Sequence, residues 1–427
     1  MSQDLHHIVI VGGGAGGLEL ATQLGNTLGK SKLARITLVD RQLTHIWKPL
    51  LHEVAAGTLN SNEEEVNYFA HATKHHFEFV VGTMVSLNQS AKSISLQHKL
   101  STSPTEGSQE VTYDTLVLAV GSISNDFHTP GVKEHCYFLD SRAQADNFQR
   151  DLLSLYLEAQ SAQTERDLNI AIVGAGATGV ELAAELHQAK YTFHKYGLNR
   201  INPKQVKITL IEAGPKILSA LSPSVSRHAY KQLLDFKIEV LRSHRVEKVD
   251  AEHIYFQDGT KLKADLKVWA AGIKMPAVID DLEGFEKDKM GRLKVYSTLQ
   301  TYSDPNIFAF GDCAHCQPEA QEQPLGPRAQ VASQQASFLV DTLKAHVKGQ
   351  SLPMFRFNDK GSLVSLSHNN AVGELLGQVN VQGFVAKSMY VSLYRLHQAA
   401  IHGYTQAGFI TAKDFITRRI GPKIKLH

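Results

Sequence analysis

An α/β fold with two doubly wound units and an amphipathic C-terminal tail is predicted by three observations. The phrase VIVGGGAGGLELATQL (Val9 to Leu24) returns as IAIVGAGATGVELAAEL (Ile170 to Leu186). After each copy comes an apolar run that ends in an acid: ARITLVD at Asp40 and VKITLIE at Glu212. From Asn380 onward the chain turns basic, with seven Lys and Arg against the single acid Asp414.

In chain order, the runs HIVIV and NIAIV are continuous and apolar, the pattern of strands buried on both faces of a parallel sheet. G-x-G-x-x-G follows each: Gly12, Gly14 and Gly17, then Gly174, Gly176 and Gly179. The first glycine suits a tight turn. The second lets a pyrophosphate approach the backbone, and the third lets the helix pack close to its strand. Phosphates then meet free N–H groups at the positive end of the helix dipole. Asp40 and Glu212 stand where a carboxylate accepts hydrogen bonds from a ribose diol. The stretch from first glycine to acid is longer than usual, and the second copy carries its excess in YTFHKYGLNRINPK. A glycine-rich turn alone needs no ligand, but here strand, glycines, helix and acid recur together. Both units read as Rossmann-like dinucleotide-binding domains, so two dinucleotides are expected, one held and one visiting. The natural pair is FAD and NADH, with a hydride passed between them. A carboxylate at Glu212 repels a 2′-phosphate, so NADH is expected over NADPH unless Arg242 and Arg245 lie beside that ribose.

Composition narrows the classes further. With 427 residues, 43% of them hydrophobic, the chain can build two or three domains. A formal net charge of +2 gives no field for nucleic acid, and none is expected as a partner. The three cysteines, Cys136, Cys313 and Cys316, make no disulfide framework and fit a reducing compartment. The opening MSQDLHH lacks the basic and apolar regions of a signal peptide. No apolar run approaches the ~18 residues that span a bilayer. The expected place is the cytosol, or a membrane surface that the chain does not cross.

TLVLAVGS and LKVWAAGI end two further strands in small-residue turns, at Gly121 and Gly272, in matching places after the two units. NIFAFGDCA is another apolar strand, ending at Gly311 and Asp312. This order resembles the flavoproteins with two dinucleotide-binding domains. The resemblance implies FAD on the first unit, Asp312 accepting from the flavin ribityl chain, and an NAD domain inserted into a split FAD domain. Cys313 and Cys316 of CAHC read first as small buried residues behind that turn. A redox disulfide or a metal pair is the competing reading, and no metal is expected. Next, GPRAQVASQQASFLV places Ala329, Gln330 and Gln334 on one predicted helix, the two glutamines at i and i+4. Neutral amides can bond a quinone carbonyl without adding charge. A helix that simply packs on the flavin accounts for the spacing equally well.

With these residues the chain resembles the type II NADH:quinone oxidoreductases, in their proteobacterial branch. The pattern AQ-x-A-x-QQ after GD carries the likeness, with HIWKPLLHEVAAG, VGAGATGVELAAEL, VWAAGIK, GSLVSLS and SLYRLHQAAIHGY. The likeness spans essentially the whole chain. It implies non-covalent FAD on Gly12, Gly14, Gly17, Asp40 and Asp312, and NADH on Gly174, Gly176, Gly179 and Glu212. It implies Gln330 and Gln334 at the quinone, and Glu181 near the nicotinamide. Lys48 matches a flavin-side position of that family. It also implies a peripheral enzyme of the respiratory chain, on the cytoplasmic face of the bacterial inner membrane. The competing functions are a soluble flavin reductase serving a redox protein, and a non-enzymatic dinucleotide sensor.

The domain plan expected is residues 1–125 and 291–350 for FAD, 126–290 for NADH, and 351–427 for a C-terminal domain. In residues 380–427 the net charge is +6, from Lys387, Arg395, Lys413, Arg418, Arg419, Lys423 and Lys425 against Asp414. Val385, Met389, Leu393, Leu396 and Ala400 form one apolar stripe at helical spacing. Lys387, Arg395 and Gln398 fall on another side, and Tyr390 and Tyr394 suit an interface. Such a segment lies on anionic lipid. A stripe packed on the body, or on a second copy in a homodimer, is the alternative.

Overall fold

Continuous apolar strands flanked by helices fold here into parallel sheets, as their pattern requires. The computed structural model describes residues 5–98, 108–319, 321–367, 370–375, 379–420 and 424, with the backbone alone at 108 and 415–420. The elements that position the sites are, in chain order, β1 (His6–Val11), α1 (Ala15–Leu24), β2 (Ala34–Asp40), α2 (Leu51–Ala55), β3 (Glu78–Val81), β4 (Thr115–Leu118), β5 (Leu168–Val173), α3 (Ala177–Lys195), β6 (Val206–Glu212), α4 (Pro223–Asp235), β7 (Glu239–Arg242), β8 (Leu266–Trp269), β9 (Ile307–Ala309), α5 (Ala329–Val347), β10 (Ser362–Ser367), β11 (Asn370–Leu375), β12 (Val379–Gln382), α6 (Gly383–His402) and α7 (Tyr404–Ile420).

The chain divides into two compact units, each made of separate segments. The first is Met1–Trp47, Glu64–Ile123 and Lys274–Asn358; the second is Lys48–Glu63, Ser124–Ile273 and Asp359–His427. This division returns to the first unit at 274 rather than 291. It also groups residues 48–63 and the whole tail with the second unit.

In the first unit, a five-stranded parallel sheet runs β9-β4-β1-β2-β3. Residues 8–11 of β1 are all buried. In the second, a four-stranded parallel sheet runs β7-β6-β5-β8. Its core gathers Val173, Ile211 and Trp269 from adjacent strands. A separate antiparallel sheet, β10-β11-β12, leads directly into α6.

The tail reverses the ordinary orientation of an amphipathic helix. On α6 the polar side turns inward: Lys387, His397 and Gln398 are buried. The apolar side turns outward, with Phe384 73%, Val385 62% and Leu396 52% exposed. Two cations counted towards a basic surface are thereby spent on the fold. Lys387 donates to the hydroxyl of Ser365 at 2.7 Å. Arg395 sits 2.7 Å from Asp414, in contact though not aligned as a hydrogen bond. Tyr394, expected at an interface, is buried and accepts a hydrogen bond from Gln398. Lys413 remains exposed. The side chains of Arg418 and Arg419, and Lys423 and Lys425, lie outside the described residues. Among the described residues no helix is long and apolar enough to cross a membrane.

Candidate functional site

Two cradles repeat one geometry. In the first unit Gly12 has φ +107°, and a Cβ there would meet the Ala119 carbonyl oxygen at 2.4 Å. A Cβ on Gly17 would sit 1.8 Å from the Gly12 oxygen, so strand and helix touch through backbone. Around Gly14 there is open space to 4 Å. The second unit repeats this. Gly174 has φ +103° and lies against Ala270, Gly179 lies against Gly174, and Gly176 is open. The free N–H groups at the start of α1 and α3 therefore face space that a pyrophosphate can fill.

The strand-end acids are set by the backbone beside them. Asp40 accepts from the Gly13 N–H at 2.6 Å, and burial pushes its carboxyl up from the usual range. Glu212 accepts from the N–H groups of Ala175 at 3.0 Å and Gly214 at 2.7 Å. Asp312 sits in a single tight turn after β9 and accepts from the Ser122 hydroxyl at 2.7 Å. Gly121, next to Ser122, is open and has φ +70°. Its counterpart Gly272 has φ +64° and packs against the ring of Phe127. The first cradle thus offers two carboxylates and an open helix start, a set that fits FAD. The second offers one carboxylate and an open helix start, a set that fits NADH.

Ala329 begins α5, which carries both expected quinone-side glutamines. The Gln334 side chain bonds the Asn358 backbone at both ends, accepting from its N–H at 3.0 Å and donating to its carbonyl at 2.9 Å. Its neighbour Gln335 is buried and accepts from the Gly311 N–H at 2.8 Å, holding the Asp312 turn in place. Lys48 pairs with Asp140 at 3.0 Å in the second unit. Cys313 and Cys316 are unpaired and buried, and burial pushes their thiols up to about 12 and about 11. Thiols held protonated in this way are poor nucleophiles and poor metal ligands.

Glu181 has a setting that its sequence position does not announce. It projects from α3 into a buried polar cluster with residues from α2, β10 and α6. The Ser365 N–H donates to its Oε1 at 2.9 Å, and Lys387 in turn donates to the Ser365 hydroxyl. The Tyr390 hydroxyl bonds the same carboxyl. His52 Nδ1 lies 3.5 Å from its other oxygen. Burial outweighs the hydrogen bond and the nearby ammonium, and pushes Glu181 up to about 8. Burial also pushes His52 down to about 4, so the ring is neutral beside a protonated carboxyl at pH 7. Glu185, one turn on, is buried and accepts from Thr58 at 3.0 Å. With His52 and Glu53 it gathers potential ligand atoms within 4.8 Å of one another. His52, Glu53, Glu185 and Ser365 were not singled out from sequence. The signal was present in PLLHEVAAG and SLVSLS, but nothing in their local pattern pairs them with Glu181.

Two parallel-sheet cradles with strand-end acids, each shaped for a dinucleotide, are the plan of a pyridine nucleotide-disulphide oxidoreductase. The chain matches that family over residues 6–336. A Haemophilus influenzae type II NADH:quinone oxidoreductase is 40% identical, over 99% of this chain and 100% of that protein. A Staphylococcus aureus protein of the same name is 30% identical over 88% of this chain and 92% of its own. The structure of NDH2 from Plasmodium falciparum in complex with NADH shares the fold, at TM-score 0.83 and 20% identity, covering 98% of this chain and 100% of that one. The chain belongs to the type II NADH:quinone oxidoreductases.

Proposed function

We propose that Gly12, Gly14, Gly17, Asp40, Gly121, Asp312 and Ala329 hold the FAD of this NADH:quinone oxidoreductase, and that Gly174, Gly176, Gly179, Glu212 and Gly272 hold its NADH. The observation that carries this assignment is the repeated cradle, each with an open second glycine and an acid fixed by the neighbouring N–H group. Bound FAD supplies the two-electron carrier between donor and quinone. The chain's own part in hydride transfer is positioning, because no acid or base is needed to move a hydride. Reduction of the quinone consumes two protons. Glu181 keeps one on its carboxyl at pH 7, and the Tyr390 hydroxyl bonded to it offers an exchange partner. Gln330 supplies the neutral amide on the acceptor side. Gln334 serves chiefly to fix α5 to Asn358.

The outward apolar side of α6, continued by Tyr404 (81% exposed) and Phe409 (78% exposed) on α7, is the contact with an anionic bilayer. Its occupant is lipid because the acceptor is a lipid-soluble quinone and the end of the chain is basic. The enzyme then works as a peripheral protein on the cytoplasmic face of the inner membrane, without pumping protons. Burial of this stripe is not screened by salt, whereas the attraction of the remaining cations is. Salt is therefore expected to strip the protein only partly from anionic vesicles, and detergent completely. A Phe384→Ser, Val385→Ser, Leu396→Ser protein that still pellets with vesicles overturns the contact. A wild-type dimer that this variant dissolves assigns the stripe to a second copy instead. For the cradles, anaerobic NADH should bleach the flavin absorbance and a quinone should restore it. A protein that bleaches normally with Asp312→Ala and Gly14→Val in place refutes the FAD assignment.

A further inference from the structure

Three side chains that neither cradle uses converge between α2 and α3. His52 and Glu53 follow one another on α2, and Glu185 comes from α3. One ring nitrogen of His52 and one carboxylate oxygen from each glutamate all lie within 4.8 Å of one another. His52 and Glu185 are buried, while Glu53 is half-buried and keeps one edge of the group towards solvent. The histidine ring is set as a ligand ring is. The Pro49 carbonyl bonds it from the preceding turn, and Nδ1 faces Glu181 at 3.5 Å. Its Nε2 is buried and has no hydrogen-bond partner among the described residues. The ring proton therefore sits on Nδ1, and the lone pair of Nε2 is left unanswered in buried space, a costly state for a polar atom. A metal-bound imidazole has this form, with its other N–H given to a carbonyl or carboxylate. The glutamates are steadied too. The Thr58 hydroxyl stands 3.0 Å from Glu185 Oε2 and 3.2 Å from the Glu53 carbonyl oxygen, tying the end of α2 to α3.

Two carboxylates this close repel each other until a cation joins them. One imidazole with two carboxylates is a ligand set for Zn²⁺ or a similar first-row dication. Three atoms bound to one Zn²⁺ at about 2.1 Å stand about 3.4 Å apart, a spacing that glutamate side chains reach by a short inward rotation. We infer that His52 Nε2, Glu53 and Glu185 bind one Zn²⁺-class dication, with the fourth position left to water. Mg²⁺ and Ca²⁺ are poor occupants, because they favour six or more oxygen ligands. The bound ion clamps α2 to α3. The site lies one turn along α3 from Glu181 and takes none of the residues assigned to FAD or NADH, so it stands or falls apart from those assignments.

The test uses the full-length, tag-free, FAD-loaded enzyme, treated with EDTA and then freed of chelator. Zn²⁺ is titrated in competition with a chromophoric chelator. One saturable site per chain is expected, and millimolar Mg²⁺ or Ca²⁺ should not displace the ion. At a hundredfold excess over Kd, Zn²⁺ should raise Tm by about 2–5 °C. Co²⁺ in its place should give the visible absorption bands of a low-coordinate nitrogen and oxygen site. His52→Gln, Glu185→Gln and Glu53→Gln should each weaken Zn²⁺ about tenfold or more. Glu53→Gln, at the half-buried position, keeps the test decisive if a buried variant fails to fold. The Cys313→Ser, Cys316→Ser double variant should bind Zn²⁺ as the wild type does. The absence of a saturable site, unchanged affinity in Glu53→Gln, or binding that is lost only in the cysteine variant overturns the proposal. Displacement by Ca²⁺ overturns the class of ion.

Discussion

Glu19 and Glu181 hold the same place in two copies of one phrase, each two residues after the third glycine on the first turns of a helix. Both are buried, and burial raises both carboxyls. Their surroundings differ. Glu19 accepts from the hydroxyls of Ser333 at 2.9 Å and Ser337 at 3.0 Å, with Gln23 beside it. Neutral donors on a packed neighbouring helix satisfy it, and it ties α1 to α5. Glu181 faces an imidazole, an ammonium one hydroxyl away, a phenol and the further carboxylate of Glu53, and burial takes it to about 8. One glutamate is a strut and the other a titrating group. What separates them is which element packs on the helix: α5 over the first copy, and α2, β10 and α6 over the second.

The largest effects that could break this comparison lie in the glycines the copies share. Gly179→Ala would place a Cβ 2.0 Å from the Gly174 oxygen, and Gly17→Ala one at 1.8 Å from the Gly12 oxygen. Each should cost about 3 kcal/mol or more through backbone displacement. Gly176→Ala meets nothing within 4 Å. It should leave Tm nearly unchanged while raising the KM for NADH at least tenfold. Thermal unfolding beside steady-state kinetics checks the pair, and a destabilised Gly176→Ala protein would remove the claim that its space is kept for a ligand.

The next effect separates the two glutamates. Glu181→Gln should lower quinone-dependent turnover about tenfold or more, in the range of a lost proton-transfer group, and flatten the pH profile near 8. Glu19→Gln should cost about 1 kcal/mol of stability and leave that profile alone. Stability against pH carries its own sign. The folded carboxyl of Glu181 titrates above its unfolded value, so its contribution is complete below pH 4.5 and is lost as pH rises through about 8. Glu181→Gln should therefore gain on the wild type across that window, by about 1–3 kcal/mol. Denaturant unfolding at several pH values measures it, and parallel curves for the two proteins would place Glu181 outside the titration.

Two smaller effects sharpen the picture. Glu212→Ala should weaken NADH use and narrow the preference over NADPH, since it removes the repelling carboxylate. An unchanged ratio of kcat/KM would refute the ribose contact. Last, Gln330→Leu should lower quinone reduction several-fold while sparing NADH-to-ferricyanide transfer, the loss of one hydrogen bond of about 0.5–1.5 kcal/mol. Gln334→Leu should act mainly on stability, because its amide already bonds Asn358. Equal losses with both acceptors would make Gln330 a support of the flavin.

The sequence by itself determined the two cradles. Turn, helix start and strand-end acid are local, and each glycine's role follows from a few residues of backbone, so periodicity and spacing were enough to place Asp40, Glu212 and the six glycines. It also showed that α6 has an apolar and a polar side. Which side faces inward was decided only by tertiary structure. Ser365, Asp414 and Glu181 supply partners for the polar groups, so Lys387, Arg395 and Gln398 turn in and the apolar stripe is left outside. The same physics hid the Glu181 cluster. Its members come from segments far apart in the chain, and only packing brings His52 and Lys387 near one carboxyl. A pKa depends on what surrounds a group in three dimensions, and no pattern along the chain records that.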